Sequence, residues 1–256
     1  MSAPVRVTDR ASYVLAHNPG VMTLDGTNTY ILREPGARRS VVVDPGPDDD
    51  AHLQAVLAEA GEVGLILFTH RHIDHTEAMA TFCRLTGAPA RAFDPVWCSG
   101  AEPLLPGELI AVDGLEIEVV FTPGHTNDSC CFRLTGERSL LTGDTILGRG
   151  TTFVSHPDGR LGPYLDSLAH IRELVEEGLA TRLLPAHGPV IDDAAAVVDF
   201  YIEHRAERLD QVRAAVAEGL TTPRAVVESV YADVDPSLWP AAEHSVAAQL
   251  EYLQTP

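Results

Sequence analysis

Three histidines and an aspartate crowd into one short segment of this chain, and this crowding restricts the possible fold more than any other feature. The segment spans residues 69–75, directly after the apolar run 64–68, and it contains four candidate ligands: His70, His72, Asp74 and His75. Neutral imidazole nitrogens and carboxylate oxygens are ligands that borderline divalent metals prefer. A polar loop of surface histidines is the alternative, but an HxHxDH spacing after a buried strand favours a metal site.

The composition is that of a globular protein. The chain has 256 residues, of which 45% are hydrophobic and 21% are charged. There is no uncharged apolar run of about 18 residues, and the N-terminus lacks the apolar core of a secretory signal. We therefore expect no membrane partner and a cytoplasmic location. The four cysteines show no CxxC spacing, so we expect them to be reduced.

The charge of the chain bears on its partners. The net charge is −19, and all 18 basic residues are arginines. A field of this sign repels phosphate backbones, even after two divalent ions are added. The charge disfavours a nucleic-acid partner and favours a compact anionic substrate. A local basic groove would override this effect, so RNA stays open as a partner.

Alternating strand and helix patterns predict a layered α/β fold. Strands are expected over 12–16, 28–33, 40–44, 64–68, 89–93, 108–112, 117–122, 129–134, 139–142 and 182–185. Helical periodicity covers 53–60, 78–87 and 163–178. We expect Phe82 and Leu85 to be buried on the second of these helices, and His52 to be exposed near the first.

The sequence becomes almost purely helical from about residue 193. We predict a catalytic domain over 1–192 and a helical module over 193–256, with helices over 194–218, from Pro223, and over 237–253. The stretch 194–256 has four arginines against ten acidic residues, so we expect no DNA binding. We expect it to pack on the catalytic domain, form one wall of the cleft, or dimerise. His204 and Arg205 are interpreted as packing or ion-pair residues.

Three further strand ends carry residues that bind metals in proteins. His125 follows a Thr-Pro-Gly turn, Asp144 follows Thr-Gly, and His187 lies between Ala186 and Gly188. Each signal is weak alone, because such residues are usually ordinary turn residues. Together with the first cluster they supply seven ligands, enough for two ions that share one carboxylate.

This ordered set of residues is similar to the signature of the metallo-β-lactamase superfamily, and residues 41–46, Val-Val-Val-Asp-Pro-Gly, resemble its upstream motif. The resemblance implies an αββα sandwich with two divalent ions, most simply Zn²⁺. It assigns three residues to the first ion: His70, His72 and His125. It assigns three to the second ion: Asp74, His75 and His187. Asp144 would bridge the ions, and Asp44 would support the ligands without touching either ion.

Departures from other branches narrow the resemblance. True β-lactamases have a cysteine where this chain has Asp144, and flavodiiron proteins have a glutamate where it has His72. Stretches 26–30, 142–152 and 185–191 are similar to a branch of endoribonucleases that carries a C-terminal winged-helix-like module. Glyoxalase II proteins share the ligands, but their basic C-terminal glutathione contacts have no counterpart here.

We therefore expect a dinuclear metal hydrolase that uses a metal-bridging hydroxide on a small anionic ester or thioester. Asp74 is the candidate for orienting the nucleophile or moving a proton, and Arg149 and Arg160 are candidates for binding the anionic substrate. Cleavage of single-stranded RNA is the alternative that the branch resemblance implies. A non-catalytic metal-binding module is a third reading. The sequence leaves the oligomeric state open.

Overall fold

Two β-sheets form the centre of the fold in the computed structural model, which describes residues 3–254. The first sheet has six strands in chain order: β1 (Val5–Arg6), β2 (Ala11–Leu15), β3 (Asn28–Leu32), β4 (Arg39–Val43), β5 (Glu62–Leu67) and β6 (Ala90–Arg91). The second has five strands in the order β11-β10-β9-β8-β7: β7 (Leu109–Val112), β8 (Leu115–Phe121), β9 (Cys130–Leu134), β10 (Ser139–Gly143) and β11 (Arg182–Pro185).

Seven α-helices accompany the sheets within the described residues: α1 (Asp50–Ala60), α2 (Ile73–Thr76), α3 (Met79–Thr86), α4 (Leu161–Glu176), α5 (Ala194–Ala217), α6 (Pro223–Val230) and α7 (Trp239–Gln254). Side chains cap the N-termini of α5 and α6. The Asp193 carboxylate accepts a hydrogen bond from the Ala196 amide, and the Thr222 hydroxyl accepts one from the Ala225 amide. None of the helices between residues 3 and 254 has the length and apolarity needed to cross a bilayer.

The apolar faces of the two sheets and of the helices determine how the layers of the fold are stacked. Val41 and Leu67 of the first sheet pack against Ile117 and Phe132 of the second. α1 and α3 cover the outer face of the first sheet, while α4 and the first half of α5 cover the second. Strand β10 is buried at every position, as expected for a strand covered on both faces. The predicted αββα sandwich is confirmed.

The strands that precede the candidate ligands end at common edges. β4 pairs in parallel with β5, and β10 pairs in parallel with β11. β8 and β10 are both antiparallel to β9, so they run in the same direction. The sheets are joined beside these ends, because Cys130 N donates to Thr69 O at 2.9 Å and Asn28 N donates to Ala186 O at 2.7 Å. The topology therefore brings distant strand ends to one place.

The C-terminal helices share a helix with the sandwich. The first half of α5 packs on the second sheet through Val198 and Tyr201, and its second half packs against α6 and α7 through Val212 and Ala215. In the described chain no named strand follows β11, so this module is helical. The domain boundary at 192/193 stays a prediction, since it lies at the start of a helix that contacts both parts.

Two predictions of exposure were wrong. Leu85 is 47% exposed, because the inward face of α3 runs through Phe82 and Cys83, and about 100° per residue places Leu85 on the flank. His52 is only 5% exposed. It lies four residues before Val56, which places both side chains on the buried face of α1.

Candidate metal centre

All seven predicted ligands lie together at the shared strand edge, in two groups. Within each group the candidate ligand atoms are all within 4.8 Å of one another. The first group contains His70, His72, His125 and Asp144, and the second contains Asp74, His75 and His187. Residues separated by more than a hundred positions in the sequence thus converge on one small volume.

Three ring nitrogens meet in the first group. His72 Nδ1 lies 2.9 Å from His70 Nε2 and 3.1 Å from His125 Nε2. Asp144 Oδ2 lies 3.9 Å from His70 Nε2 and 3.7 Å from His125 Nε2. Such a set of three nitrogens and one oxygen is a donor set that Zn²⁺ accepts.

The second group is built around carboxylate oxygens. Asp74 Oδ2 lies 3.2 Å from His75 Nε2 and 3.1 Å from His187 Nε2. Asp144 Oδ1 lies 3.7 Å from His75 Nε2 and 3.3 Å from His187 Nε2. Asp144 therefore turns one carboxylate oxygen toward each group.

Tight turns bring His125 and Asp144 to their positions. Gly124, just before His125, has a φ of +137°, and a Cβ there would lie 2.3 Å from the Tyr164 Cα. Gly143, just before Asp144, has a φ of +51°, and a Cβ there would lie 2.7 Å from the Thr69 Cβ. Only glycine fits both the backbone angle and the close approach at these two positions.

Hydrogen bonds on the far side of each ring fix which nitrogen faces the centre. His125 Nδ1 lies 2.7 Å from Phe153 O, and His187 Nδ1 lies 3.0 Å from Gly26 O. A carbonyl oxygen only accepts, so both rings carry their proton on Nδ1. Nε2 is therefore the ring atom that faces the centre, where it would bind a cation.

Asp44 connects ligands of both groups. Its carboxylate accepts from Thr69 N at 2.8 Å, from Thr69 Oγ1 at 2.7 Å and from His75 Nδ1 at 2.9 Å. Because the Thr69 hydroxyl donates to Asp44, it accepts from His70 Nδ1 at 3.0 Å. Asp44 has a φ of +51°, which is unusual for a residue with a Cβ and is found where function requires it. The resemblance predicts a supporting role for Asp44, and that role stays a prediction.

Several contacts of the centre had not been predicted from the sequence. The C-terminal helices hold the loop that orients His125, since Arg205 donates to Thr152 O and Ser245 Oγ accepts from Val154 N at 3.0 Å. Thr27 Oγ1 lies 3.4 Å from Asp74 Oδ2. Thr69, which contacts Asp44 and His70, is the one supporting residue that the sequence could have indicated, because it directly precedes a candidate ligand. Backbone carbonyls carry no such signal.

Several buried polar atoms of the centre lack a hydrogen-bond partner, which is expected for a site that binds cations. Among residues 3–254, His75 Nε2, His187 Nε2 and Asp144 Oδ1 are buried without a hydrogen-bond partner. Leaving such atoms unpaired costs free energy, and buried polar groups nearly always have a partner. All three face the second group, where a divalent cation would satisfy them together. The residues present therefore fit bound divalent ions.

The two groups also differ in their affinity for protons. Burial and the neighbouring His125 lower the pKa of His72 to about 3, and burial with His75 lowers the pKa of His70. Burial also lowers the pKa of His187, but Asp144 and Asp74 overcome this effect and raise it to about 10. Burial opposes ionisation of Asp74, yet His75 and His187 hold its pKa well below the usual range. Positive charge is therefore favoured in the second group.

The predicted substrate-binding arginines lie beside the centre but are bound to carboxylates. Arg149 Nη1 is 2.7 Å from Asp25 Oδ2, and Arg160 is paired with Glu251. Arg149 follows Gly148, whose amide donates to His187 O at 2.8 Å. The role of both arginines stays a prediction.

Comparison with known proteins agrees with this geometry. A family model described as Metallo-beta-lactamase superfamily matches residues 22–187, and one described as Beta-lactamase associated winged helix domain matches residues 222–255. A solved structure of a metallo-beta-lactamase family protein from Thermus thermophilus superposes with a TM-score of 0.81. That alignment covers 97% of this chain and 94% of the other at 22% identity, so it shows the fold alone.

Two curated relatives are similar over most of their length. The "Beta-lactamase-like protein 2 homolog" of Drosophila melanogaster is 33% identical over 98% of this chain and 90% of its own. The "Atrochrysone carboxyl ACP thioesterase" of Aspergillus fumigatus is 32% identical over 88% of this chain and 74% of its own.

Proposed function

The chain belongs to the metallo-β-lactamase superfamily and is a hydrolase of that superfamily, and from this premise we propose that it is a two-metal enzyme acting on a small anionic ester or thioester. The proposal rests on a single observation: the two carboxylate oxygens of Asp144 face different groups of candidate ligands. Its Oδ2 lies 3.7 Å from His125 Nε2, and its Oδ1 lies 3.3 Å from His187 Nε2. One carboxylate placed in this way serves two cations, which we propose to be Zn²⁺.

The ligands define what each part of the chain contributes. His70, His72 and His125 would hold one ion, and Asp74, His75 and His187 would hold the other. When bound, two such ions lower the pKa of a water molecule to about 7 and polarise the oxygen of the bond to be cleaved. Where the resemblance places a cysteine in true β-lactamases, this chain has Asp144 with two carboxylate oxygens, and we therefore do not propose β-lactamase activity.

Asp74 is the side chain that we propose to orient the nucleophile. Its carboxylate lies between His75 and His187, and those neighbours keep its pKa well below the usual range against the effect of burial. It is therefore ionised at neutral pH and acts as a hydrogen-bond acceptor rather than as a proton donor. The Thr27 hydroxyl, 3.4 Å from Asp74 Oδ2, restricts the orientation of this carboxylate.

Charges around the centre support a compact substrate. Three arginines each form an ion pair with a carboxylate: Arg71 with Asp158 at 3.0 Å, Arg149 with Asp25, and Arg160 with Glu251. A nuclease needs a continuous positive track for the phosphate backbone. The relative named as an acyl-carrier-protein thioesterase also supports thioester chemistry.

The test combines metal analysis with a turnover panel. The protein is loaded with Zn²⁺ and assayed with an acyl thioester, a bis-aryl phosphodiester and single-stranded RNA. We expect thioester turnover to exceed turnover of the other two, and His70→Ala to lose bound metal and activity together. Turnover that persists in a metal-free variant would refute a metal-dependent mechanism.

RNA cleavage is the second candidate, because stretches 26–30, 142–152 and 185–191 are similar to the endoribonuclease branch. The same panel separates the two candidates. Efficient cleavage of RNA without thioester hydrolysis would reverse the ranking of substrates while leaving the metal centre as proposed.

A further inference from the structure

A cavity of about 160 Å³ lies beside the metal centre, between the loop 151–153, α5 and the C-terminal helices. Phe153 lines this cavity, and its ring stacks on His72 with 6.1 Å between the ring centroids. Thr152 also lines it, and its Oγ1 lies 3.2 Å from His125 Nδ1. The wall of the cavity therefore contacts the rings of two candidate ligands.

Three basic side chains of α5 line one side of this cavity: His204, Arg205 and Arg208. Within residues 3–254 none of them forms an ion pair, whereas 13 of the 18 arginines do. Arg208 Nη1 instead donates to Val230 O at 3.1 Å, and its guanidinium lies over the Tyr231 ring at 4.6 Å. Arg205 and Arg208 are thus two of the five arginines without an ion pair in the described part of the chain, and both line this cavity.

Arg205 is the most buried of the three. Its residue is 6% exposed, and its Nε has no hydrogen-bond partner among the described residues. Its guanidinium donates to Thr152 O and lies over the Tyr164 ring at 5.0 Å, but no carboxylate among the described residues balances its charge, and an approaching anion would do so. Burial, Arg205 and Arg208 lower the pKa of His204, with Glu207 opposing them, which indicates a positive potential here.

The remaining wall is largely apolar. It is formed by Tyr231, Val234, Leu238, Ala241 and Ala242. The basic side and the apolar side of the cavity together suit a ligand with a compact anionic group joined to an apolar body. The guanidinium groups would pair with the anion, and the apolar wall would cover the apolar body. A continuous phosphate backbone does not fit a cavity of this size.

We propose that this cavity binds the anionic group of the substrate, a carboxylate or a phosphate, while the bond to be cleaved lies at the metal centre. This inference rests on the proposed function and deepens it, since it names the side chains that select the substrate. Arg208 and His204 contact the anion, and Arg205 acts as a positioning residue that also holds Thr152 O. The helical module thus supplies specificity to the hydrolase.

The kinetic test uses matched thioesters on the zinc-loaded enzyme. The members of one pair differ only by a carboxylate or a neutral carboxamide on the acyl chain, and those of the second pair by a phosphate or its neutral dimethyl ester. We expect the ratio of kcat/KM, charged over neutral, to fall about 10- to 100-fold in Arg208→Gln, since charged hydrogen bonds stabilise by about 1.5–3 kcal/mol. The pair with the larger ratio identifies the anion.

The control is Arg213→Gln on the same helix. Arg213 is exposed and paired with Asp210, so this variant should keep the wild-type ratio. His204→Asn provides a second variant of the cavity, in case Arg208→Gln fails to fold. A ratio that is unchanged in both cavity variants would overturn the proposal.

Direct binding separates this proposal from the proposed function. Benzoate and phenyl phosphate are titrated calorimetrically into the zinc-loaded wild type, Arg208→Gln and Arg213→Gln. We expect at least about tenfold weaker binding of one probe to Arg208→Gln alone. If no thioester is hydrolysed but this difference appears, the proposed reaction fails and the cavity stands. If thioesters are hydrolysed and the probes bind all three proteins equally, the cavity proposal fails alone.

Discussion

The two groups of candidate ligands form two halves of the candidate centre from the same kinds of side chain, yet they differ in the charge that they favour. In the first half the pKa values of His70 and His72 are lowered by burial and by neighbouring imidazoles. In the second half the carboxylates of Asp74 and Asp144 raise the pKa of His187 to about 10 against the effect of burial. The placement of Asp74 and Asp144 therefore gives the second half a higher affinity for protons than the first.

The halves also differ in their support. His125 of the first half donates to a backbone carbonyl in a loop that the C-terminal helices hold. His75 of the second half donates directly to Asp44. Asp44 reaches the first half only through Thr69, which accepts from His70. Substitutions of these supporting residues should therefore affect the halves unequally.

The largest effect is expected from Asp144→Asn, which removes the charge that the two halves share. We expect kcat/KM to fall by more than about 100-fold, because loss of a residue that only supports ligands already costs about 10- to 100-fold. Zinc content per chain, measured by mass spectrometry, should fall as well. Asp113→Asn is the control, since Asp113 pairs with Arg39 at the start of β4. Full zinc content and activity in Asp144→Asn would show that the halves do not share this carboxylate.

A smaller and more selective effect is expected from Asp44→Asn. Asparagine tolerates the positive φ at this position, so the backbone should be preserved while the acceptor for His75 weakens. We expect the zinc affinity of the second half to fall by about 10- to 100-fold and that of the first half to fall less. Thr69→Val is the matched variant, because it removes the contact to His70 and leaves the bond between Asp44 and His75. Equal losses in both halves of both variants would argue against separate support.

The third prediction concerns pH and zinc affinity. Because the pKa of His187 is raised to about 10, this ring is protonated at neutral pH before a cation binds, and zinc must displace the proton. The zinc affinity of the second half should fall as the pH falls from 8 to 6, by up to about tenfold per unit for each displaced proton. The pKa of His72 is about 3, so the first half should respond little in this range. Calorimetric titration in buffers of different ionisation enthalpy measures the released protons, and equal proton release at both halves would contradict the comparison.

The smallest effect is expected at His52, beneath the turn that carries Asp44. Its Nε2 lies 2.9 Å from Thr29 Oγ1, which donates to Asp44 O at 2.7 Å. Burial lowers the pKa of His52, so the unfolded chain takes up a proton first as the pH falls. The free energy of unfolding should therefore decrease below about pH 6.5, with a slope of at most about 1.4 kcal/mol per pH unit from this group.

His52→Gln removes the titrating group and keeps a side-chain amide near Thr29. Denaturant unfolding of both proteins between pH 7.5 and pH 5 gives the difference, since all other groups titrate in both. We expect the stability of the wild type to fall more steeply than that of the variant. Parallel curves would show that His52 does not contribute.

Much of the fold follows from the sequence because its signals are local. Strands such as β11 are short apolar runs bounded by breakers, and each candidate ligand follows one of them. The burial of His52 and the exposure of Leu85 were predicted wrongly. His52 shares the buried face of α1 with Val56, whereas Leu85 lies on the flank of α3. The apolar pattern did not assign either residue to the correct side of its helix.

The candidate ligands were predicted more fully than the groups that hydrogen-bond to them. Imidazoles and carboxylates are visible in a sequence, whereas Phe153 O and Gly26 O are backbone atoms that every residue possesses. His204 and Arg205 were interpreted as packing or ion-pair residues, and their lack of an ion pair within residues 3–254 depends on how α5 lies against the loop 151–153. Such contacts depend on how the elements pack in the folded protein, which local sequence patterns do not indicate.

The most direct test of the two-metal centre is a crystal structure of the zinc-loaded protein with anomalous diffraction data collected at the zinc absorption edge. We predict two anomalous peaks, one among His70, His72 and His125 and the other among Asp74, His75 and His187, with the Asp144 carboxylate between them. A single peak, or zinc bound only at other residues under saturating metal, would contradict the account.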